Sequence, residues 1–190
     1  MAKTARNPRG TMFLLVGNSG SGKDSILTWA KEHWKCPEKE LIVAQRYITR
    51  PESPETEKFV SVSTEEFEKM DKNGDFSLKW ISYGMYYGVK NDIIEELEKG
   101  NLVIVNVSRQ IIDDTRKRFP GTKVIFVQVP IDTIVMRIHD RGRETEEQVQ
   151  ARVQRAKENE TLPGADFTIV NTGTIEEGGQ KLLTYLASFC

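Results

Sequence analysis

The amino-acid sequence predicts an α/β fold with three layers, in which a central parallel sheet of five strands is covered by helices on both faces. Five apolar runs lack the polar alternation of a half-exposed strand. Helical patterns separate most of these runs, and a glycine-rich loop joins the first run to the first helix. The predicted strands are Met12–Val16, Leu41–Gln45, Leu102–Val107, Lys123–Val129 and Phe167–Val170.

Helical periodicity fills the intervals between these strands, with ordinary stop signals at several ends. Gly100 ends one helix, and Pro120 with Gly121 ends the next. The predicted helices of the core and of the region after it are Ser25–Lys35, Asn91–Lys99, Gln110–Phe119, Ile131–Arg141, Glu146–Glu160 and Ile175–Phe189. This alternation predicts a single doubly wound domain over residues 1–190, with its core at 11–45, 89–136 and 161–190.

Two stretches interrupt the alternation. Residues 46–88 are polar, carry Pro51 and Pro54, and contain short β-like pieces and a short helix at Thr64–Asp71. Residues 137–160 contain the charged loop 141–146 between two helices. We expect the first stretch to be an insertion that binds a second substrate and the second to be a lid.

Composition limits the function classes. Hydrophobic residues make up 38% of the 190 residues and charged residues 29%, which is typical of a globular protein. A net charge of −1 argues against a nucleic-acid partner, and no apolar stretch reaches the roughly 18 residues of a membrane span. The N-terminus has no secretory signal pattern, and Cys36 and Cys190 lack metal or redox spacing. We therefore expect reduced cysteines and a cytoplasmic protein, and the sequence leaves a homodimer open.

The strongest motif is the segment from Gly17 to Lys23, which follows the first strand and matches the phosphate-binding pattern G-x-x-x-x-G-K. Glycines let successive backbone N–H groups point at phosphate oxygens, and the following helix adds its positive end. A lysine can reach the outer phosphates as a point charge. The predicted nucleotide-binding residues are Gly17, Asn18, Ser19, Gly20, Ser21, Gly22 and Lys23. The alternative is a glycine-rich turn with a solvated lysine.

Asp24 stands where this motif usually has Ser or Thr as a Mg²⁺ ligand. A carboxylate is also a hard oxygen ligand, so either Asp24 or Ser25 could bind the metal. The alternative is that Asp24 only stabilises the first helical turn electrostatically.

Arginines cluster in the second half of the chain, at Arg137, Arg141, Arg143, Arg152 and Arg155. Arg137 and Arg141 are one helical turn apart, as are Arg152 and Arg155, and Val149, Val153 and Ala156 mark a neighbouring core stripe. Guanidinium groups pair bidentately with phosphate and stabilise charge in phosphoryl transfer. The alternative is a solvated basic face that pairs with the glutamates nearby.

Further polar and aromatic candidates lie in the insertion and at the end of the third strand. Arg46 and Arg50 bracket a β-like segment, and Trp80, Tyr86 and Tyr87 form an aromatic cluster. Asn106, Ser108 and Arg109 follow an apolar strand at the end where α/β sheets bind ligands. An Asn at position 106, where a P-loop hydrolase usually has Asp, disfavours hydrolysis. We expect His33 and His139 to be structural or surface residues.

The order of these features resembles that of the guanylate kinase-like P-loop kinases. It comprises Gly17 to Lys23, Ile48-Thr49-Arg50-Pro51, Glu66-Phe67, Trp80 before Tyr86-Tyr87-Gly88, Arg141-Gly142 and Arg152. Three stretches, Gly-Lys-Asp-Ser at 22–25, Arg-Tyr-Ile-Thr-Arg-Pro at 46–51 and Asn106 with Ser108-Arg109, resemble its ribose 1,5-bisphosphate phosphokinase branch. The resemblance implies a fold like that of nucleoside monophosphate kinases.

Departures from guanylate kinases concern the acceptor. The family's guanine-reading Glu is replaced by Lys79, a phosphate-binding Arg by Ser53 and a phosphate-binding Tyr by Phe59. A site without the carboxylate leaves guanine's donors unmatched, so guanine is an unfavourable acceptor. Lys79 would add positive charge, which suits a second phosphate group on the acceptor better than a base.

The resemblance also implies roles for individual residues. It assigns ATP to Gly17 to Ser25 and Asn171, catalysis to Lys23, Arg137, Arg141 and Arg152, and a phosphorylated sugar to Arg46, Arg50, Lys79, Tyr87, Asn106, Ser108 and Arg109. The implied reaction uses ATP and Mg²⁺ to convert ribose 1,5-bisphosphate to 5-phosphoribosyl 1-diphosphate, a step of phosphonate catabolism. A nucleoside monophosphate kinase and a non-catalytic interaction module of the same fold remain the alternatives.

Overall fold

A computed structural model describes residues 9–51, 59–141 and 146–190, without the side chains of 137–141, 148 and 152. The strands in these ranges are β1 (Thr11–Gly17), β2 (Leu41–Val43), β3 (Arg46–Ile48), β4 (Val60–Ser61), β5 (Phe76–Ser82), β6 (Met85–Lys90), β7 (Leu102–Asn106), β8 (Lys123–Gln128) and β9 (Phe167–Val170). The helices are α1 (Lys23–Glu32), α2 (Thr64–Lys72), α3 (Asp92–Lys99), α4 (Ile112–Arg118), α5 (Ile131–Arg141), α6 (Glu146–Glu158) and α7 (Ile175–Ala187), and a 3₁₀ turn at Arg109–Ile111 precedes α4. None of the helices described is long and apolar enough to cross a membrane.

The central sheet contains the five predicted strands in the order β2-β7-β1-β8-β9. The pairs β2–β7 and β8–β9 are parallel, with Leu41 opposite Leu102 and Ile125 opposite Phe167. Met12 to Val16 are all buried, which explains why the first strand is an uninterrupted apolar run. The predicted α/β fold with a five-stranded parallel sheet is confirmed.

The second predicted strand, Leu41–Gln45, is shorter in the structure. β2 ends at Val43, although the Ala44 N–H still donates to the Ile104 carbonyl at 2.9 Å. The chain then starts a new pairing as β3, where Arg46 lies opposite Val89. The first sheet therefore loses the chain at the end of the predicted strand, and the second sheet begins directly after it.

The stretch 46–88 forms most of a second sheet, of order β4-β3-β6-β5, together with α2. Strands β5 and β6 make a hairpin whose two-residue turn has positive φ at Tyr83 (52°) and Gly84 (73°). The Phe67 ring of α2 stacks on Phe76 and Tyr86 of this sheet, with centroids 4.6 Å and 5.5 Å apart. The insertion thus has an aromatic core of its own.

The chain divides into two compact units. One comprises the chain up to Leu14, Cys36–Lys123 and Phe189–Cys190, and the other comprises Leu15–Lys35 and Val124–Ser188. The first unit holds the insertion, and the second holds the glycine-rich loop and α6. The single-domain partition stays a prediction.

The expectation of two reduced cysteines was wrong, because the structure joins Cys36 and Cys190 in a disulfide. Their Cα atoms are 6.3 Å apart although the residues are separated by 154 positions. Phe189 anchors this end of the chain, since its ring packs edge-on against Phe13 with centroids 5.0 Å apart. Lys39 Nζ also donates to the Phe189 carbonyl at 2.6 Å. Sequence spacing could not reveal this tertiary proximity.

Helix α7 packs closely against α1 through two buried glycines. A Cβ atom at Gly178 would lie 2.8 Å from Ile26 Cγ2, and one at Gly179 would lie 2.7 Å from Trp29 Cδ2. Neither distance leaves room for a side chain at normal van der Waals contact. The absence of side chains at these positions therefore sets how closely α7 approaches the helix that follows the glycine-rich loop.

Gly179→Val is expected to lower the free energy of unfolding by about 3 kcal/mol, because its methyl groups overpack against Trp29. Urea denaturation measures the change. Gln180→Val is the control, because it places the same β-branched side chain at an exposed position of the same helix, where there is no clash. Its free energy of unfolding should fall by less than about 1 kcal/mol. Equal losses in the two variants would contradict the packing argument.

Candidate active site

The segment from Gly17 to Lys23 adopts the predicted strand, loop and helix arrangement. It leaves β1 at Gly17 and enters α1 at Lys23. Gly20 and Gly22 have φ of 82° and 79°, a left-handed conformation that residues with a Cβ rarely adopt. The Ser21 N–H donates to the Asn18 carbonyl at 3.1 Å, which closes the turn. The curled backbone that a phosphate-binding loop requires is present.

The start of α1 has the chemistry of an anion site. Its N-cap residue is Gly22, which has no side chain to accept a hydrogen bond from the first N–H groups of the helix. Lys23 is the first helical residue, and only 17% of its side chain is exposed. Its ammonium group lies 4.0 Å from the Asp24 carboxylate. N–H groups, the helix dipole and one cation therefore fit the phosphates of a nucleotide.

Asp24 and Ser25 both lie in the first turn of α1. Asp24 is half-buried and Ser25 is exposed. Both offer hard oxygen atoms, and kinases commonly hold Mg²⁺ with one or two protein oxygens together with substrate phosphates. Both residues fit that chemistry.

Asn171 follows β9 and is buried, with 5% of its surface exposed. Its Nδ2 donates to the Ser21 carbonyl at 2.7 Å, so the side chain supports the glycine-rich loop. A Cβ atom at Gly178 would lie 2.6 Å from Asn171 Oδ1, so helix α7 covers the amide from another side. A contact of Asn171 with adenine stays a prediction.

In the first unit, two of the predicted acceptor-site residues, Arg46 and Tyr87, share one face of the second sheet with Trp80. Arg46 lies opposite Val89, two residues from Tyr87 along β6, and period-two alternation places both side chains on the same face. Trp80 lies opposite Tyr87, and their rings stack with centroids 5.2 Å apart. Arg46 and Tyr87 are 7% and 9% exposed. This face combines a buried guanidinium group with two aromatic rings.

Lys79 is not on that face. It lies opposite Gly88, beside Trp80 in β5, so its side chain points to the face that packs against α2. Its ammonium group is bound by both carboxylate oxygens of Asp71 at 2.7 Å and 2.8 Å. The structure therefore does not bring Lys79 together with Arg46 and Tyr87, as its predicted role in acceptor binding would require.

Arg50 lies just beyond β3 and is half-buried. Its guanidinium carbon is 4.5 Å from the centroid of the Phe59 ring, and its carbonyl accepts a hydrogen bond from Ser61 Oγ at 2.6 Å. Beside it, Thr49 Oγ1 accepts from the Tyr86 N–H at 2.9 Å, which fixes the chain before Arg50. A cavity of about 460 Å³ adjoins these residues, and its lining is Thr49, Arg50, Pro51, Ser61, Val62, Ser63, Thr64 and Glu66. This volume suits a small phosphorylated ligand.

Polar side chains gather at the carboxyl end of β7. Asn106 is buried at 6% exposure, and Ser108 and Arg109 are half-buried. Burial lowers the pKa of the Arg109 guanidinium, which nevertheless stays charged at neutral pH. Gln110 Nε2 donates to the Ile81 carbonyl, which ties this segment to the second sheet. The predicted residues Asn106, Ser108 and Arg109 thus lie together.

The arginines of the predicted lid fall on two helices. Arg137 and Arg141 belong to α5 and Arg152 to α6, while their side chains and the whole of Arg143 lie outside the described residues. The predicted core stripe of α6 is confirmed, because Val149, Val153 and Ala156 pack in a cluster with Val129 and Ile134. The catalytic role of these arginines stays a prediction.

Sequence reasoning missed two contacts of the site. One is the Phe59 ring next to the Arg50 guanidinium group. The other joins the Asn18 side chain to the end of α6, 138 and 141 positions later in the chain. No local pattern signals the second contact, because its partners are so distant in sequence.

Comparison with known proteins agrees with this geometry. The family model for guanylate kinase matches residues 9–188. The ribose 1,5-bisphosphate phosphokinase PhnN of Thiobacillus denitrificans is 36% identical over 94% of this chain and 93% of its own length. A bifunctional ribose 1,5-bisphosphokinase-thymidine phosphorylase of Roseobacter denitrificans is 34% identical over 95% of this chain, which spans only 27% of that protein.

A solved structure also has this fold. The crystal structure of guanylate kinase from Anaplasma phagocytophilum superposes with a TM-score of 0.70, at 18% identity, over 99% of this chain and 88% of that one. The phosphate-binding loop, the five-stranded sheet and the sequence matches lead to the same assignment. The chain belongs to the guanylate kinase family and, within it, groups with the ribose 1,5-bisphosphate phosphokinases.

Proposed function

We propose that this protein transfers the γ-phosphoryl group of ATP to the 1-phosphate of ribose 1,5-bisphosphate. An oxygen of that phosphate bonds to the γ-phosphorus, and the bond from the γ-phosphorus to the β–γ bridging oxygen breaks. The products are 5-phosphoribosyl 1-diphosphate and ADP. A phosphate group is thus the acceptor, and a diphosphate forms on the sugar.

The observation that carries this proposal is the 36% identity to a ribose 1,5-bisphosphate phosphokinase over nearly the full length of both chains. The geometry of the loop from Gly17 to Lys23 supports the kinase part, because an uncapped helix start and a largely buried lysine suit nucleotide phosphates. An interaction module without catalysis has no need of either feature.

On the donor side, the loop N–H groups and Lys23 bind the ATP phosphates, and Asn171 holds the loop through the Ser21 carbonyl. Asp24 or Ser25 would hold Mg²⁺, which would supply positive charge between the donor phosphates. Arg137, Arg141 and Arg152 neutralise charge on the transferring group.

On the acceptor side, we assign the sugar phosphates to Arg46, Arg50 and Tyr87, with Asn106, Ser108 and Arg109 as further polar contacts. Guanidinium groups match the geometry of phosphate oxygens, and several of them can neutralise a bisphosphate. We do not assign Lys79 to this site, because it lies on the opposite face of the sheet and pairs with Asp71.

The reaction requires no general base. A phosphate monoester loses its second proton with a pKa of about 6, so the acceptor oxygen is already anionic at neutral pH. The difficulty is bringing two polyanions together, which positioning and charge neutralisation address. The cationic residues named above therefore suffice for this chemistry.

Acceptor competition tests the proposal. With ATP and Mg²⁺, ADP release should be at least about 10³-fold more efficient with ribose 1,5-bisphosphate than with GMP, because a site without guanine-matching groups discriminates strongly. Ribose 5-phosphate is the matched control, since it lacks the attacking phosphate, and it should give no turnover. Phosphorus NMR identifies the diphosphate product. Turnover with GMP and none with ribose 1,5-bisphosphate would replace the proposal by a nucleoside monophosphate kinase.

A further inference from the structure

The side chain of Asn18, the second residue of the phosphate-binding loop, is bonded to the C-terminal end of α6. Its Nδ2 donates to the Ala156 carbonyl at 3.3 Å and to the Asn159 carbonyl at 3.2 Å. Asn18 is half-buried. A residue whose backbone belongs to the nucleotide site thus reaches the helix of the predicted lid with its side chain.

The end of a helix needs such donors, because its last four carbonyl groups have no partner within the helix. Asn159 supplies some of them, since its backbone N–H donates to the Arg155 carbonyl at 3.1 Å and to the Ala156 carbonyl at 3.3 Å. Its Nδ2 also donates to the Arg155 carbonyl at 2.8 Å. The amide group of Asn18 has two N–H donors, which add a second hydrogen bond at the Ala156 carbonyl and one at the Asn159 carbonyl. Alanine or leucine at position 18 would remove both hydrogen bonds from Asn18 to the end of α6.

Apolar packing holds the same helix along its length. Val149 and Ala156 are buried against Val129 and Ile134, with Val153 beside them. Asn18 adds a polar attachment at the helix end, so α6 is fixed to the loop as well as to the core. Arg152 belongs to this helix and lies four residues before Ala156, about 6 Å along the helix axis.

We propose that Asn18 is a positioning residue that fixes α6, and through it Arg152, relative to the phosphate-binding loop; its catalytic part rests on the proposed function. Asn18 acts through its two side-chain N–H groups, while the backbone of the loop binds the nucleotide. Loss of the attachment therefore misplaces the lid arginine without removing the nucleotide site.

Asn18→Ala is expected to lower kcat about 10- to 100-fold, since a small misplacement of a catalytic group has effects of this size. The Kd for a non-hydrolysable ATP analogue should change by less than about threefold, because the backbone N–H groups remain. Asn18→Leu restores the volume without the donors and should behave like Asn18→Ala. Recovery of kcat in the leucine variant, or a loss confined to nucleotide affinity, would overturn the proposal.

A double-mutant cycle tests whether the effect passes through Arg152. If it does, Asn18→Ala should lower kcat by less than about threefold when Arg152 is already replaced by alanine. If the two residues act independently, the double variant should lose kcat by the product of the two single losses. Gln154→Ala is the matched control, because it removes an exposed amide from the same helix, and it should keep the wild-type rate.

Hydrogen exchange of the unliganded protein gives a readout that needs no substrate. Backbone amides at residues 155–160 should exchange about tenfold faster in Asn18→Ala than in the wild type or Gln154→Ala. Unchanged exchange there would refute the attachment. The exchange experiment needs no substrate, so its outcome does not depend on the proposed reaction. Failure of the proposed function would appear only in the acceptor assay, as absence of turnover with ribose 1,5-bisphosphate.

Discussion

Lys23→Ala is expected to lower kcat about 10³-fold or more, which corresponds to about 4 kcal/mol of transition-state stabilisation. Lys23 is the first residue of α1, only 17% of its side chain is exposed, and its ammonium group is the cation of the phosphate-binding loop. Alanine leaves the backbone cradle in place but removes the positive charge that, in the proposed function, stabilises the outer phosphates during transfer. Steady-state ADP release with ATP and ribose 1,5-bisphosphate measures the loss.

Lys31→Ala is the control for this variant, because it removes an exposed lysine from the last turn of the same helix. It should turn over at the wild-type rate. Thermal unfolding of both variants should match the wild type, since the ion pair between Lys23 and Asp24 is long, at 4.0 Å. Wild-type turnover in Lys23→Ala would exclude the assignment of this loop to the transferred phosphate.

The central sheet was predictable because its strands are buried on both faces. Residues 12–16 of β1 and 102–105 of β7 are uninterrupted apolar runs, so these strands stand out in the sequence without any knowledge of their neighbours. Helix α5 occupies the predicted range Ile131–Arg141, and β9 the predicted range Phe167–Val170. Both sets of boundaries follow from local periodicity.

Features that depend on tertiary proximity were not predictable. The end of β2 at Val43 and the start of β3 at Arg46 depend on the strands that they pair with. The disulfide of Cys36 and Cys190 likewise depends on a distant segment of the chain. Local pattern carries no information on which distant segments meet. Lys79 is different, because neighbours in a strand face opposite ways. Once Trp80 is placed on the Tyr87 face, Lys79 must lie on the other.

The candidate site also has a part that local sequence predicts and a part that depends on tertiary contacts. The phosphate-binding loop is built from backbone groups of seven consecutive residues, so a local motif is sufficient to find it. The attachment of Asn18 to α6 and the stacking of Arg50 on Phe59 join residues that only the fold brings together. Roles carried by the backbone of one segment were thus easier to predict than roles carried by pairs of side chains.

Arg50→Ala is expected to lower kcat/KM for ribose 1,5-bisphosphate about 10²- to 10³-fold, because it removes the two charge-assisted hydrogen bonds that we propose Arg50 donates to one acceptor phosphate. The half-buried Arg50 lines the cavity of about 460 Å³ and follows a chain held by Thr49 and Tyr86. The hydrogen bond from Ser61 goes to its carbonyl and survives the substitution. Initial rates at varied acceptor and fixed ATP measure the effect, and the KM for ATP should stay within about threefold.

Two further variants separate charge from geometry. Arg9→Ala makes the same change of charge at an exposed position and should leave both KM values unchanged. Arg50→Lys keeps the charge but replaces the planar fork by a single ammonium group, so about a tenth of the lost efficiency should return. Full recovery of kcat/KM in Arg50→Lys would mean that Arg50 acts only through its positive charge and not through the geometry of its guanidinium group. A rise in the KM for ATP with an unchanged KM for the sugar would move Arg50 from the acceptor site to the donor site.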